Sequence, residues 1–100
     1  MARLDLYRLP GMEGYLLEVQ ADLMSVLSTT VVAPLLPLAA APKPITRLNP
    51  IFEVNGERYV MVTQSLSAVA RKELGGAVGT MDKRQEYDVT NALDMLLSGS

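Results

Sequence analysis

The sequence contains no cysteine, no histidine and no tryptophan among its 100 residues. Disulfide scaffolds, thiol nucleophiles and zinc sites built from Cys or His are therefore excluded, as is every catalytic triad that depends on an imidazole. Any chemistry must come from carboxylates, Lys, Arg, hydroxyl groups or the backbone. The composition accordingly predicts neither a metal site nor a cofactor.

Charge of either sign is also sparse. The sequence contains nine Lys and Arg residues and eleven Asp and Glu residues, which gives a formal net charge of −2 and a pI near 5.0. Binding to a phosphate backbone relies on dense positive charge. Nucleic acid is therefore not expected as a direct ligand.

Signals for export or for insertion into a membrane are missing as well. Arg3 and Asp5 place charge where a signal peptide needs an unbroken apolar run. Residues 23–42 carry no charge, but three prolines interrupt them, and each would remove a backbone hydrogen bond from a spanning helix. We therefore expect a cytoplasmic protein that does not engage a membrane.

A chain of this length has room for one small domain, which we expect to span residues 1–100. Such a chain buries roughly 60 to 65% of the surface that it exposes when unfolded, so its core is modest. A second subunit would add buried surface. Homo-oligomerisation, in the simplest case a homodimer, is therefore expected.

Alternating apolar and polar residues predict two strands, at residues 2–9 and 15–21, joined as a hairpin by a loop that contains Pro-Gly. Residues 29–36 are rich in β-branched side chains and predict a third strand. Proline cannot donate a ladder hydrogen bond, so Pro34 favours an edge position or a bulge for that strand.

A second hairpin is predicted at residues 52–62, because Asn55-Gly56 readily supplies the two positive φ angles of a type I′ turn. Such a turn fixes the register of the two strands. The pairs that it places opposite each other match in charge or in apolar character: Glu53 with Arg58, Phe52 with Tyr59, and Ile51 with Val60.

The C-terminal region predicts an α-helix over about residues 83–97. Asp82 is a suitable N-cap and Gly99 a suitable terminator. The apolar residues that follow the i, i+3, i+4, i+7 spacing of one helix face are Val89, Ala92, Leu93 and Leu96. Residues 65–74 fit a helix and a strand equally. A run of strands with one C-terminal helix predicts an α+β fold, mainly β, with a small antiparallel barrel-like sheet.

No group of residues forms a recognisable catalytic constellation. The carboxylate pairs Glu18 with Asp22, and Glu53 with Glu57, follow patterns typical of solvent-facing positions on strands and turns. A ribonuclease site built from arginine and hydroxyl groups needs no histidine. Its candidates here are Arg47, Arg58, Thr63 and Ser65, although Arg58 is expected to pair with Glu53 across the hairpin.

Five short motifs occur in order along the chain: Val19-Gln20-Ala21-Asp22, Pro34-Leu35, Leu48-Asn49-Pro50, Thr63 and Asp88-Val89-Thr90-Asn91-Ala92. In their order, their spacing and the length of the chain, they resemble the CcdB family of toxins from bacterial toxin–antitoxin modules. The resemblance implies a small barrel-like sheet with a C-terminal helix, and mostly strand over residues 65–74. It also implies a tight homodimer that traps the cleavage complex of DNA gyrase and is neutralised by a CcdA-like antitoxin.

The resemblance assigns residues to two surfaces. The surface expected to bind the gyrase A subunit comprises Leu23, Met24, Asp94, Leu97, Ser98, Gly99 and Ser100. The surface expected to bind the antitoxin comprises Arg8, Leu9 and Glu13 in the first hairpin loop. The plasmid toxins of this family end in Trp-Gly-Ile, and Ser98 stands here in place of the indole, which is a typical interface hot spot.

The leading hypothesis is therefore a CcdB-like toxin that acts by protein contact and is not itself an enzyme. One alternative is a MazF-like endoribonuclease, because that family is thought to share the fold and can work through Arg and hydroxyl groups. The other is a diverged, non-toxic member that still binds an antitoxin, since the terminal Trp and Ile are absent.

Overall fold

The computed structural model describes residues 2–99, and in these it confirms the α+β fold. Its strands are β1 (Asp5–Tyr7), β2 (Tyr15–Glu18), β3 (Thr29–Pro37), β4 (Ile51–Val54), β5 (Glu57–Met61), β6 (Ser67–Ala70) and β7 (Gly79–Thr80), followed by the helix α1 (Glu86–Ser98). All strand pairs are antiparallel. The strands form a curled half-barrel sheet in the order β4-β5-β3-β2-β1-β7, and β6 pairs with β3.

The two predicted hairpins are both present. β1 and β2 pair through the Pro-Gly loop, although each strand is shorter than the alternating pattern predicts. In the second hairpin Asn55 and Gly56 have φ angles of 52° and 82°, as a type I′ turn requires. The predicted register between β4 and β5 is confirmed at all three pairs.

The prediction that Pro34 places its strand at an edge or a bulge is wrong. β3 lies inside the sheet, with β2 along one side and two successive strands along the other. On that second side β6 pairs with residues 29–32 and β5 pairs with residues 35–37, so Pro34 falls between them. Its carbonyl accepts a hydrogen bond from the Val62 amide at 2.8 Å. The Pro34 nitrogen, which carries no hydrogen, lies on the same side of β3, in the gap between β6 and β5 where no strand requires a donor.

Helix α1 forms as the sequence predicts. Asp82 caps a 3-10 turn at Lys83–Gln85 by accepting a hydrogen bond from the Arg84 amide, and this turn leads into the α-helix. Gly99 ends the helix in the left-handed conformation, with φ of 74°. Val89 and Ala92 are completely buried against the sheet.

Residues 65–74 contain a strand, β6, and then a 3-10 helix at Arg71–Glu73. The mostly strand assignment implied by the family resemblance holds for the first part of this segment. The two-residue strand β7 was not predicted, because Gly79 and Thr80 carry no alternating pattern. It pairs with β1 and forms one edge of the sheet.

Apolar side chains are buried on both faces of the sheet. The larger cluster includes Leu17, Leu35, Met61, Val89 and Ala92, and lies between the sheet and α1. A smaller cluster on the opposite face is formed by Tyr7, Leu16, Val32 and Leu74. Within residues 2–99, no helix is long and apolar enough to cross a membrane.

Candidate functional site

The connection between β2 and β3, residues 21–28, is exposed along its whole length. It contains a single 3-10 turn, Asp22–Met24. Its large apolar side chains include Leu23, which is 85% exposed, and Val26, which is 88% exposed, together with Met24 and Leu27. Exposed apolar side chains grouped on one segment are typical of a protein-binding surface. Leu23 and Met24 are therefore accessible, as a role in target binding requires.

Arg3 links this connection to the C-terminal helix. Its backbone N–H donates to Asp22 Oδ1 at 2.7 Å. Its guanidinium donates to Glu86 Oε2 at 3.3 Å and to Thr90 Oγ1 at 3.2 Å. The start of the exposed connection and the first turns of α1 are thus held by one residue.

The predicted target residues on α1 continue along the helix from this link. Thr90, Asp94 and Leu97 are spaced at i, i+4 and i+7, so they share one side of the helix. Asp94 is exposed and Leu97 is 74% exposed, whereas the Ser98 hydroxyl donates to the Asp94 carbonyl at 2.8 Å. Gly99 ends the helix, and Ser100 lies outside the described residues.

The loop between β1 and β2 holds the three residues predicted to bind an antitoxin. Arg8 is exposed, but it is fixed in place: its Nε donates to the Gly14 carbonyl at 3.2 Å and its guanidinium lies 4.6 Å from the centre of the Tyr15 ring. Leu9 is half-buried against the smaller apolar cluster. Glu13 is exposed. The loop therefore presents one ordered cation and one carboxylate.

A buried polar network is the feature that sequence patterns missed. Glu18 points to the face opposite Leu17, but Val69, Arg71 and Leu74 cover that face, and Glu18 is only 2% exposed. Its carboxylate accepts hydrogen bonds from the Tyr7 hydroxyl at 2.9 Å and from the Thr30 hydroxyl at 2.8 Å. Arg71 Nη1 donates to the same carboxylate at 3.1 Å. Solvent exposure for Glu18 was thus a wrong prediction, since alternation indicates a face but not what covers it.

The network also changes the titration of Tyr7. Burial, followed by the hydrogen bond to Glu18, raises the pKa of the Tyr7 phenol well above its usual value of 10.0. The ion pair with Arg71 offsets part of the cost of burying the Glu18 carboxylate. The arrangement holds four elements together, but it offers no exposed acid or base to a substrate.

The proposed arginine and hydroxyl combination is not assembled. Thr63 is completely buried, and its hydroxyl donates to the Leu48 carbonyl. Arg47, Arg58 and Ser65 are exposed. The Thr63 hydroxyl thus stabilises the loop before β4 and is not available to an RNA phosphate.

A polar cleft of about 210 Å³ lies between the β4–β5 turn and the start of the C-terminal helix. Its lining includes Tyr15, Glu53, Asn55, Thr80 and Asp82. The bond between Arg84 and Asp82 holds the pKa of that exposed carboxyl below its usual range. Among residues 2–99 no three carboxylates converge in a group that could hold a metal ion.

Several solved structures share the fold of this chain, and two of them are described as endoribonucleases. One is an endoribonuclease in complex with its cognate antitoxin, from Mycobacterial species, with a TM-score of 0.76 and 16% sequence identity over 97% of this chain and 94% of that one. The other is an endoribonuclease from Mycobacterial species, with a TM-score of 0.77 and 16% identity over 97% of this chain and 90% of that one. No curated protein matches the chain in sequence.

The family comparison is more specific than the comparison of folds. The family described as CcdB protein matches residues 3–99, nearly the full length of the sequence. The matched range includes all five motifs and every predicted site residue except Ser100. The chain belongs to the CcdB family of toxins from toxin–antitoxin systems.

Proposed function

We propose that this chain inhibits DNA gyrase by binding the A subunit, as a cytoplasmic homodimer that a CcdA-like antitoxin neutralises. The observation that carries the proposal is the match of the CcdB family to residues 3–99. A second observation supports the proposal: the residues that directly follow the family motif Val19-Gln20-Ala21-Asp22 form an exposed apolar segment.

The geometry of this segment supports binding to a large partner. Leu23 projects from a connection that has no buried residue, and Arg3 ties the start of that connection to α1. An apolar side chain that is almost fully exposed in the isolated chain gains free energy when a partner covers it. The surface would thus work by contact, in agreement with the absence of histidine and cysteine.

Antitoxin binding is assigned to the loop that contains Arg8. Its guanidinium is held over Tyr15 and needs little reordering before it pairs with a carboxylate of an acidic antitoxin. The fold of one Mycobacterial endoribonuclease, which is solved with its cognate antitoxin, supports an antitoxin as the natural ligand of this fold.

The direct test is a gyrase cleavage assay with the purified chain, together with growth after expression. We expect trapped gyrase–DNA cleavage complexes, growth arrest, and relief of both by the cognate antitoxin. Leu23→Ser should weaken trapping about tenfold, while Ile45→Ser, which removes an apolar side chain that is 55% exposed from another loop, should leave it unchanged. Neither trapping nor growth arrest by the unaltered chain would refute the gyrase proposal.

The missing indole at the C-terminus allows a second test. Ser98→Trp would restore the large rigid side chain that the plasmid toxins carry at this position. If the rest of the surface is complete, this variant should trap gyrase at lower concentration than the unaltered chain. Toxicity only after this change would identify the unaltered chain as a diverged, non-toxic member whose remaining target surface is intact.

An endoribonuclease is the second candidate, because two of the solved structures that share the fold carry that description. Incubation of the purified chain with a defined RNA tests it. Cleavage that Arg47→Ala or Arg58→Ala abolishes would support this activity. Intact RNA at high protein concentration would rule it out.

A further inference from the structure

The exposed connection at residues 21–28 is held by few contacts of its own. Within it, the Met24 amide donates to the Ala21 carbonyl, the Ser25 amide to Asp22, and the Leu27 amide to Met24, at 2.9 to 3.1 Å. Leu23 and Val26 face solvent almost completely and Met24 and Leu27 are about half exposed, so burial fixes its shape only weakly. From outside the connection, the Gln20 side-chain amide donates to the Met24 carbonyl at 3.2 Å. A segment with short-range hydrogen bonds and no buried side chain samples many conformations unless something else restrains it.

Arg71 supplies such a restraint at the end of the connection. Its backbone N–H donates to the Ser28 carbonyl at 2.9 Å, and its side-chain Nε donates to the Leu27 carbonyl at 2.8 Å. Two consecutive carbonyls of the connection are therefore bound by one residue, from a 3-10 helix more than forty residues later in the chain.

The other end of the guanidinium is anchored in the body of the protein. Nη1 donates to Glu18 Oε2 at 3.1 Å, and the exposed fractions of the two side chains are 13% for Arg71 and 3% for Glu18. Tyr7 and Thr30 fix the carboxylate from β1 and β3. Because a guanidinium is planar and presents several donors in fixed directions, it transmits this fixed position to the Leu27 carbonyl.

We propose that Arg71 is a positioning residue that fixes residues 21–28 in the shape that presents Leu23 and Met24 to the target. The inference rests on the proposed function for the role of that surface. Glu18 acts as the anchor of Arg71 and has no contact with the target. Binding affinity thus depends on a side chain that lies beneath the surface and that the partner does not touch.

The variants must separate loss of positioning from loss of folding. Arg71→Met alone leaves Glu18 buried without its cation, which is itself destabilising. The double variant Glu18→Gln/Arg71→Met removes both charges and keeps an amide that Tyr7 and Thr30 can bond. Lys72→Met is the matched control, because it removes a neighbouring positive charge that is exposed.

The readout is amide hydrogen exchange at Met24, Ser25 and Leu27, compared with exchange at Leu17 in the sheet. In the double variant we expect exchange at the three connection amides to rise about tenfold or more, with Leu17 unchanged. Arg71→Lys should give a smaller rise, because a single ammonium cannot reach Leu27 and Glu18 with the same planar geometry. Unchanged exchange at the connection in the folded double variant would overturn the inference.

Affinity for an isolated gyrase A fragment is measured on the same proteins. We expect the double variant to bind about tenfold more weakly and the Lys72→Met control to bind as the unaltered chain does. If the unaltered chain does not bind gyrase, the proposed target is wrong, while hydrogen exchange still decides whether Arg71 positions the connection. Faster exchange with undiminished gyrase affinity would overturn the link between Arg71 and binding.

Discussion

The side-chain amide of Asn49 donates a hydrogen bond to the backbone carbonyl of Met61, at 3.0 Å, and so joins the loop before β4 to the end of β5. Its carbonyl oxygen accepts from the Ile45 amide at 3.0 Å, and its amide also donates to Gln64 at 2.8 Å. Asn49 is 6% exposed. The motif Leu48-Asn49-Pro50 thus has a structural explanation, since its asparagine organises the loop from within.

Asn49→Ala should lower the free energy of unfolding by about 2 kcal/mol, because it leaves the buried Met61 carbonyl and the Ile45 amide without this partner. Urea denaturation measures the change. Gln64→Ala is the control: it removes one of the same hydrogen bonds from an exposed side chain and should cost about 0.5 kcal/mol. Equal effects of the two substitutions would contradict the organising role of Asn49.

Gly14→Ala should disrupt the pairing of the start of β2 with β3. A Cβ atom at Gly14 would lie 2.1 Å from the Leu35 carbonyl oxygen, and the backbone φ of +108° is itself unfavourable for alanine. Gly11 has a φ of +76° with open space around it, so Gly11→Ala should cost only about 1 kcal/mol. Comparing the melting temperatures of the two variants separates the steric clash at Gly14 from the backbone strain that both positions share. Similar melting temperatures would argue against the clash.

Val89→Asp should unfold the protein, because it places a carboxylate on the completely buried side of α1. The expected cost of about 4 kcal/mol or more is comparable with the whole stability of a small domain. Tyr87→Asp, at a position that is 74% exposed, should leave the far-ultraviolet circular dichroism and the melting temperature nearly unchanged. A Val89→Asp variant that melts like the unaltered chain would refute the packing of the helix.

Alkaline pH should destabilise the fold. The folded state raises the pKa of Tyr7, chiefly by burial, and burial raises the pKa of Tyr59 in the same direction. Unfolded tyrosines release their protons near pH 10, so this contribution to stability is complete below about pH 10 and is lost as the pH rises further. Melting temperatures measured across this range, with tyrosinate absorbance followed in parallel, test the linkage.

Tyr7→Phe sharpens this test. It should cost about 1 kcal/mol at neutral pH, because the hydrogen bond to Glu18 is lost. Above pH 10 its stability should decline less steeply than that of the unaltered chain, since one raised phenol is gone. Parallel declines for the two proteins would show that Tyr7 does not contribute.

Local signals in the sequence were sufficient where a feature depends on neighbours in the chain. The Asn55-Gly56 turn, the Asp82 cap of the 3-10 turn before α1 and the Gly99 end of the helix could be predicted because their geometry is set within a few residues. Pro34 and Glu18 could not, because their surroundings depend on strands that follow much later. A prolyl residue inside the sheet is tolerated only because two different strands share the side of β3 that it faces.

The candidate site divides in the same way. Leu23, Met24 and Leu97 are exposed where the family resemblance placed them, but no pattern in the sequence singled out Arg3 or Arg71 as the residues that hold this surface. Their partners are three carboxylates, a hydroxyl and backbone carbonyls far away in the chain. Contacts of this kind leave no periodic signal in a single sequence.

The division of β3 between β6 and β5 has a consequence for how the chain reaches its native state. The first half of β3 pairs with β6, which follows the hairpin that pairs with the last residues of β3 and the connection at residues 62–66. Pairings so distant in sequence close large loops before they gain contacts, which slows folding. We therefore expect the half-barrel to form late and all at once, so that a nascent chain released before β6 has emerged would leave the Glu18 carboxylate without its cation.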